Sequence, residues 1–403
     1  MRRATIVRLT AAVMIGALAS APAVAGDARN VEIVVNAQLY GSGELSGALD
    51  RYLSDIRRQG YTPILTTTPF ADAAALRSHL AGRYRDEGLA GALLIGDLPA
   101  PAFEIDEHGS WEYERFPADL YYQDLDGTWA DANGNGVLDA HGGNVAPEIW
   151  LGRLATHTLT GLHAGRTEAG LLNEYFARNH AYRSGLLSVA ETGLAYVDDD
   201  WRTWASSWGN ELRVAVAGPV TIVSEPSVTT AEDYKARLAE EHEHLLLCVH
   251  STATRHEFEV GGEEAGSFES GDVAAVGPEA LFYNLFACSN ADYTTEGYLA
   301  GEYVFGSDVG LLAVGSSKVG SMLSLGDYFG PLGAGEPFGE AWLSWWEARA
   351  VHGFNVTERD WHYGMTMIGD PLLTRQRFLP IPEPATLGLL AALGAVLLRR
   401  RRR

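Results

Sequence analysis

Two short apolar runs, "HLLLCVH" (residues 244–250) and "ALFYNLFAC" (residues 280–288), decide the fold. Runs of this length without polar alternation are typical of strands that are buried on both faces of a parallel sheet. Functional side chains of such sheets lie beyond the carboxyl ends of the strands, and successive strands are usually neighbours. We therefore expect His250 and Cys288, which end the two runs, to emerge close together at one edge of a sheet.

The alternation of strands and helices continues along the rest of the chain. In the first part, "VEIVVNAQLY" is followed by a helix-like stretch that ends at Gly60, and "YTPILTTT" by one that ends at Gly88. A polar stretch, residues 104–147, separates this part from the second. Apolar strands joined by amphipathic helices predict an α/β fold with parallel sheets covered on both faces. We interpret the chain as two adjacent parallel-sheet α/β subdomains, residues 26–160 and residues 161–378.

The two ends of the sequence have the composition of processing signals. Residues 1–25 combine early arginines, an apolar stretch and a final "AVA", which is the order found in a secretory signal peptide. Residues 379–403 combine "PEP", an apolar transmembrane-type run of a dozen residues and five arginines. This tail resembles the PEP-CTERM sorting signal, which implies recognition by an exosortase. A plain C-terminal anchor is the alternative, although the run is short for a bilayer. We expect an exported protein, in the periplasm, at the cell surface or outside the cell.

The net charge of the chain limits the classes of molecule that we expect the protein to bind. The formal net charge is −22, and it becomes −30 for residues 26–383, because eight arginines and no acidic residue lie in the removed ends. A protein this acidic is not expected to bind nucleic acid. It attracts cations and basic peptide or protein substrates instead.

The pairing of a thiol with an imidazole predicts nucleophilic chemistry. A thiolate is a nucleophile, and an imidazole within reach activates it and later protonates the leaving amine. Cys288 and His250 are therefore the candidate catalytic dyad. Cys248 lies two residues before His250 and points to the same face one layer deeper, so we expect a core thiol. Two alternatives stay open, a Cys248–Cys288 disulfide in the oxidising compartment and two inert cysteines.

The order of these motifs resembles that of the gingipain-like family of cysteine peptidases, which have a caspase-like fold. The stretches that carry the resemblance span about residues 30–375 and are "ALLIGDLPAP", "PADLYYQDLDGTWAD", "APEIWLGRLAT", "FACSNADY", "GLLAVGSSKVGSM" and "MIGDPLL". The resemblance implies an endopeptidase with His250 and Cys288 as its dyad and nearby backbone amides as an oxyanion hole. The family usually has glycine after the histidine, where this chain has Ser251, so a conformation that only glycine adopts would be lost there.

The polar stretch contains a calcium-type loop, "DANGNGVLD" (residues 131–139). Its oxygen-bearing side chains occupy alternate positions, with Gly136 at the sharp turn, as in an EF-hand loop. The predicted ligands in the loop are Asp131, Asn133, Asn135 and Asp139. The usual glutamate at the end of such a loop is absent, and Asp124 or Asp126 is the candidate for the missing carboxylate. We predict structural Ca²⁺, and a turn cluster without metal is the alternative.

An acidic run, "DDD" (residues 198–200), ends another strand-like run at the same edge as the dyad. A carboxylate at this position would bind a basic side chain of a substrate. We assign Asp199, Asp200 and Ser251 to substrate binding and predict cleavage after basic residues. The alternative for Asp200 is an N-cap of the helix that follows.

Two histidine-rich features lead to weaker hypotheses. We interpret "EEHEH" (residues 240–244) as a solvated charge run at a helix end. His256 could join His250 in a zinc site, although no third ligand has a suitable spacing. The predicted function is a secreted cysteine endopeptidase. Its chief rival is a non-catalytic, exported calcium-binding surface or biofilm-associated protein on the same fold, and a zinc hydrolase is a third possibility.

Overall fold

A computed structural model describes residues 29–106 and 113–375 of the protein. The predicted signal peptide (residues 1–25) and sorting tail (residues 379–403) lie outside these residues and stay predictions. Among the helices of the two described ranges, none combines the length and the apolar composition that a bilayer span requires.

Strands and helices alternate along most of the described chain, as the sequence predicts. The strands are β1 (Arg29–Val35), β2 (Tyr61–Thr66), β3 (Leu89–Ile95), β4 (Ala102–Ile105), β5 (Glu114–Pro117), β6 (Thr128–Ala130), β7 (Ala140–Gly142), β8 (Trp150–Leu154), β9 (Gly193–Val197), β10 (Val220–Val223), β11 (His242–Cys248), β12 (His250–Ser251), β13 (Arg255–Val260), β14 (Glu263–Glu269), β15 (Ala280–Phe286), β16 (Leu312–Ser316) and β17 (Met365–Gly369). The α-helices are α1 (Ala37–Gly41), α2 (Ser46–Arg58), α3 (Ala73–Glu87), α4 (Leu120–Gln123), α5 (Glu168–Arg183), α6 (Ala205–Leu212), α7 (Ala231–Leu238), α8 (Val273–Val276), α9 (Leu299–Gly301), α10 (Gly326–Gly333), α11 (Phe338–Ala350) and α12 (Val356–His362).

Ten strands form one continuous sheet in the order β10-β9-β11-β15-β16-β17-β8-β3-β1-β2. The first five strands in this order are mutually parallel and form the C-terminal half-sheet. The last five are also mutually parallel and form the N-terminal half-sheet. The two half-sheets meet at β16 and β17, which pair antiparallel with Ser316 opposite Met365. The carboxyl ends of the C-terminal half-sheet therefore lie at the same edge as the amino ends of the N-terminal half-sheet. We call this edge the upper edge.

The two half-sheets correspond broadly to the two subdomains that the sequence predicts. The predicted boundary between residues 160 and 161 falls in the connection from β8 to α5, and it stays a proposal. Helix α5 follows this boundary, yet His180 in α5 contacts the Asp55 carboxylate of α2 at 2.7 Å. Strand β17 also joins the N-terminal half-sheet, although it comes late in the chain. The subdomains are therefore joined edge to edge through one sheet.

Local sequence features set the ends of helix α3. The Asp72 side chain accepts a hydrogen bond from the backbone N–H of Ala75 at 2.8 Å, which caps the first turn. Gly88 ends the helix in the left-handed conformation with φ 67°, which glycine adopts without a steric penalty. The end at Gly88 agrees with the helix that the sequence predicts before this glycine.

Two local predictions are wrong. The composition of residues 161–183 predicts a helix over the whole stretch, but the helix begins only at Glu168, where the Thr167 side chain caps it. The predicted solvated run 240–244 is buried from His242 onward, because β11 starts there and pairs with β9 and β15 on both sides. Burial lowers the pKa of His244 to about 3, so this imidazole is a neutral core residue.

A buried ion pair anchors the loop that follows β15 to the N-terminal half-sheet. Arg153 in β8 donates to both carboxylate oxygens of Asp119 at 2.7 and 2.7 Å. The Arg153 guanidinium also lies 4.1 Å from the centre of the Tyr293 ring, and the Tyr293 hydroxyl donates to Asp119 at 2.9 Å. Because Tyr293 lies five residues beyond Cys288, this cluster fixes the far end of the cysteine-bearing loop.

Candidate active site

The candidate dyad lies at the ends of two neighbouring parallel strands. Strand β11 pairs with β15 so that Cys248 lies opposite Phe286. His250 and Cys288 each follow this pair by two residues, and the two strands are about 4.8 Å apart. The structure thus brings both residues to the upper edge, as the sequence predicts, and their catalytic roles stay a proposal.

Cys288 is a half-buried free thiol on a sharply turned backbone. The next residue, Ser289, has φ 56°, a left-handed conformation that is uncommon outside glycine and concentrates at functional sites. Burial raises the pKa of the Cys288 thiol, a hydrogen bond from the Gly320 N–H and the charge of Lys318 lower it, and Glu114 raises it. Because the net shift is upward, the thiol needs a neighbouring base to become a thiolate.

Cys248 has the opposite environment. It is fully buried within β11, and burial raises the pKa of its thiol well above the ordinary value. The residue is also a free thiol, so neither cysteine takes part in the disulfide that the sequence left open. Cys248 is a core residue, as predicted.

The imidazole of His250 is held by Asp200. The His250 Nε2 and the Asp200 Oδ2 are 2.8 Å apart, and the Trp201 ring packs with its centre 4.5 Å from the imidazole centre. The exposed fraction of the His250 side chain is 39%, so the ring is open to a substrate on one side. When Nε2–H donates to Asp200, Nδ1 carries the lone pair that can accept a proton from a thiol.

The acidic run at residues 198–200 has partners within the chain. Asp198 accepts a hydrogen bond from the Glu259 N–H at 3.0 Å, and Asp199 accepts one from the Gly261 N–H at 2.6 Å. Strand alternation ends at Val197, because a 3-10 helix begins at Asp199. The N-cap alternative for Asp200 is therefore wrong. The assignment of Asp199 and Asp200 to substrate binding stays a prediction, and the contacts favour a supporting role for both.

Ser251 fits its position without strain. It belongs to the short strand β12, which pairs antiparallel with β13 and places Ser251 opposite His256. Among the described residues, the non-glycine positions with positive φ are Ser289 and Ser324, so the Ser251 backbone is one that any residue adopts. The glycine that the resemblance leads one to expect after the histidine is not required here.

Two groups within the described ranges have a metal-binding arrangement. Ligand atoms of Asp200, His250 and Glu259 all lie within 4.8 Å of one another. His256, which the sequence suggests as a zinc ligand beside His250, is not part of this group and is fully buried. The sequence did not indicate Glu259, because it comes from β13 and reaches His250 only through the hairpin.

The calcium-type loop has a different carboxylate neighbour from the predicted one. Asn133 and Asn135 donate side-chain hydrogen bonds to Glu104 of β4 at 2.6 and 2.7 Å. Within the loop, Asp131 accepts from the Gly136 N–H at 2.7 Å, and Asp139 accepts from the Asn133 N–H at 3.1 Å. The sequence missed Glu104, because β4 approaches the loop only in the folded chain.

Asp124 and Asp126, which we expected to complete the loop, lie together with Glu148 in a second group, and their role as ligands of the loop stays a prediction. Asp124 is buried and pairs with the imidazole of His141, while Glu148 accepts from the Leu125 N–H at 2.6 Å. The physical reason is that helix α4 and its following turn direct Asp124 inward. Burial, together with the neighbouring Asp126 and Asp124, raises the pKa of Glu148 to about 7, against the hydrogen bond from the Leu125 N–H.

Fold and site together define an α/β protein of the caspase-like class with a thiol and an imidazole at one sheet edge. Among solved structures, the chain is similar to the complex of the pro- and mature domains of RgpB from Porphyromonas gingivalis. The TM-score is 0.57 and the sequence identity 14%, over 86% of this chain and 79% of that chain. No family model matches the sequence, and no curated protein matches it. The likeness concerns the fold alone, and it confirms the predicted gingipain-like α/β fold.

Proposed function

We propose that the protein is a secreted, gingipain-like cysteine endopeptidase. Cys288 is the nucleophile, His250 is the general base and acid, and Asp200 orients the imidazole. The observation that carries the proposal is the matched placement of His250 and Cys288 beyond paired strand ends, with the imidazole held by a carboxylate at 2.8 Å.

The reaction follows from these three groups. The Cys288 thiol passes its proton to His250 Nδ1, and the thiolate attacks the carbonyl carbon of the scissile peptide. The imidazolium, stabilised by Asp200, gives the proton to the leaving amine, and an acyl thioester remains on Cys288. A water molecule that His250 deprotonates then attacks the thioester, which releases the acid product and restores the thiol. Backbone amides beside Cys288 and Ser251 are the proposed oxyanion donors.

The environment of Cys288 supports general-base activation rather than a resting thiolate. Burial raises the pKa of the thiol, and the lowering contributions from Gly320 and Lys318 do not cancel it. A base within reach is therefore needed at neutral pH. His250 is the candidate base, because it follows the neighbouring strand.

Cleavage after basic residues is supported by charge alone. The net charge of the chain without its two ends is −30, and Asp200 and Glu259 lie beside His250. Since Asp199 and Asp200 already have partners, a bound arginine or lysine would share these carboxylates with the protein. Attraction of this kind weakens as salt concentration rises.

A peptide-library digestion tests activity and specificity together. The purified protein is incubated with the library, with Cys288→Ala as the control, and the cleavage sites are read by mass spectrometry. Cleavage that the control lacks supports the peptidase, and arginine or lysine before the cut supports the basic preference. Cleavage after apolar or acidic residues would remove the preference, and identical digestion by Cys288→Ala would remove the function.

Structural Ca²⁺ is a further part of the proposal. The loop oxygens of Asp131, Asn133, Asn135 and Asp139 and the nearby carboxylate of Glu104 are hard donors of the type that Ca²⁺ prefers. Rotation of the two asparagine amides would turn their oxygens, rather than their N–H groups, toward an ion beside Glu104. Export by the N-terminal signal and sorting by an exosortase are proposed from the two ends of the sequence.

One observation favours a second candidate function. The arrangement of Asp200, His250 and Glu259 within 4.8 Å is one that a transition metal such as Zn²⁺ accepts, and it replaces the predicted His250–His256 pair. A metal-dependent hydrolase would then use His250 as a ligand. Metal analysis of the purified protein, compared with a Glu259→Gln protein, separates this from the dyad. The non-catalytic calcium-binding rival predicts calcium without any cleavage.

A further inference from the structure

The protein uses lysine in only two places. Of its 30 basic residues, all but Lys235 and Lys318 are arginines. Lys235 forms an exposed ion pair with Asp272 at 3.1 Å, as surface lysines commonly do. Lys318 is almost completely buried, and its side chain is 1% exposed. A buried lysine in a chain that otherwise uses arginine indicates a position that requires a compact ammonium.

The ammonium of Lys318 is fixed by three acceptors. It donates to the Glu114 Oε2 at 2.6 Å, to the Asp360 carbonyl oxygen at 2.6 Å and to the Val319 carbonyl oxygen. These are all the hydrogen bonds that an ammonium can donate. The other carboxylate oxygen of Glu114 accepts the Val319 N–H at 2.9 Å, so the partner is fixed as well.

The backbone around Lys318 holds the turn that carries Cys288. The Ser289 N–H donates to the Lys318 carbonyl oxygen at 2.8 Å, and the Ala291 N–H donates to the Ser316 carbonyl oxygen at 2.9 Å. Ser289 is the residue with the left-handed conformation directly after the cysteine. The segment after β16 thus holds this unusual turn in place.

We propose that Lys318 is a positioning residue for Cys288, which holds the turn after the cysteine through its carbonyl oxygen and places a fixed positive charge beside the thiol. Glu114 holds the Lys318 ammonium in place, and its own negative charge opposes the effect of the ammonium on the thiol. The inference deepens the proposed function, because it assigns a supporting residue to the same thiol.

Charges of opposite sign near a thiol act in opposite directions on the thiolate. The charged groups that act on the Cys288 thiol are Lys318 beyond β16 and Glu114 on β5, and His250 follows the neighbouring strand β11. His362 also lies near Lys318, and its imidazole is neutral because burial lowers its pKa to about 3. The Lys318 ammonium favours the thiolate of Cys288, and the Glu114 carboxylate disfavours it. Loss of the lysine charge should therefore raise the pKa of the thiol, and loss of the glutamate charge should lower it.

The test is the pH dependence of alkylation of Cys288 by iodoacetamide, read on its own peptide by mass spectrometry so that Cys248 does not interfere. It is run in a His250→Ala background, where the thiol titrates without the imidazole. Added Lys318→Met should move the midpoint to higher pH, and added Glu114→Gln should move it to lower pH. Lys235→Met removes the other lysine and should leave the midpoint unchanged.

Opposite shifts of the midpoint are the decisive result, because a merely structural defect would not raise the midpoint in one variant and lower it in the other. Equal midpoints in all variants, or shifts in one common direction, would overturn the inference. If Lys318→Met does not fold, Glu114→Gln decides alone, since the side chain of Glu114 is partly exposed and the glutamine amide oxygen can still accept the Val319 N–H. The measurement needs no peptidase activity, so the inference and the proposed function can fail separately.

Discussion

The two half-sheets are built alike but contribute to the upper edge in opposite ways. Each has five parallel strands, and the two sets run in opposite directions because β16 and β17 pair antiparallel. The C-terminal half-sheet therefore brings the carboxyl ends of its strands to this edge, with His250 and Cys288. The N-terminal half-sheet brings the segment that precedes β8, residues 124–148. We call it the acidic segment, because it contains Asp124, Asp126, Asp131, Asp139 and Glu148.

The polar groups at the strand ends and the carboxylates of the acidic segment are held in different ways. At the strand ends, parallel pairing fixes the backbone, and the thiol and imidazole remain partly exposed. In the acidic segment, the carboxylates accept hydrogen bonds from their own loops, as Asp131 and Glu148 do. Substitutions at the strand ends should therefore reduce activity with little loss of stability. Substitutions in the acidic segment should reduce stability or cation binding and leave the chemistry unchanged.

The largest expected effect is on the dyad. His250→Ala removes the base and should reduce peptide cleavage roughly a thousandfold or more, with an unchanged far-UV circular dichroism spectrum. Cys248→Ala is the matched control, because it removes a thiol from the neighbouring core position. It should keep its activity and lose about 1 kcal/mol of stability. Loss of activity in Cys248→Ala with full activity in Cys288→Ala would reverse the assignment.

The next effect concerns the orientation of the imidazole. Asp200→Asn should lower kcat about tenfold or more with a smaller change in KM, because the imidazolium loses its carboxylate partner. Asp199→Asn is the control, since Asp199 binds the Gly261 N–H rather than His250. Steady-state kinetics on one peptide substrate distinguishes the two. Equal kcat values in both variants and the wild type would show that Asp200 does not orient His250.

The acidic segment should respond to chelation rather than to substrate. If the loop binds Ca²⁺, a chelator should lower the melting temperature by a few degrees, because the ion binds only the folded loop. Asp131→Ala should lose this sensitivity, whereas Asp126→Asn, in the separate group with Glu148, should retain it. The reverse pattern would place the ion at the second group, with Glu148. A wild-type melting temperature that does not change with chelator would show that the loop is a turn cluster without metal.

The smallest effect is a pH dependence from Glu148. Its pKa in the folded protein is about 7, above the unfolded value of about 4.3, so its contribution to stability is complete at low pH and is lost as pH rises from about 4 through 7. With chelator present, the melting temperature of Glu148→Gln should fall less between pH 5 and pH 8 than that of the wild type. Parallel pH profiles for the two proteins would contradict the raised pKa.

The sequence predicted those parts of the fold that local patterns determine. The apolar runs before His250 and Cys288 predicted neighbouring parallel strands, and the position of Cys248 within its run predicted a core thiol. The cap at Asp72 and the stop at Gly88 likewise set a helix without help from distant residues. In each case the deciding contacts are within the run or to the adjacent strand.

Contacts between distant segments determine the features of the site that the sequence did not predict. Asp200 pairs with His250 because a 3-10 helix replaces strand alternation at Asp199. Glu104 reaches the calcium-type loop from β4, and Lys318 lies beside Cys288 through the loop after β16. Each pairing joins segments that are far apart in the chain, and no spacing rule connects them. The antiparallel pairing of β16 with β17, which brings the acidic segment to the upper edge, likewise joins segments that are far apart in the chain.

The most direct test of the proposed dyad is labelling of Cys288 with a thiol-reactive peptide probe at neutral pH, followed by peptide mapping. We predict rapid labelling of Cys288 in the wild type, because His250 removes the thiol proton, and strongly reduced labelling in His250→Ala. Cys248 should remain unlabelled in both folded proteins, because it is fully buried. Equal labelling of Cys288 with and without His250 would exclude the dyad, since the two strand ends would then hold a thiol and an imidazole that do not act together.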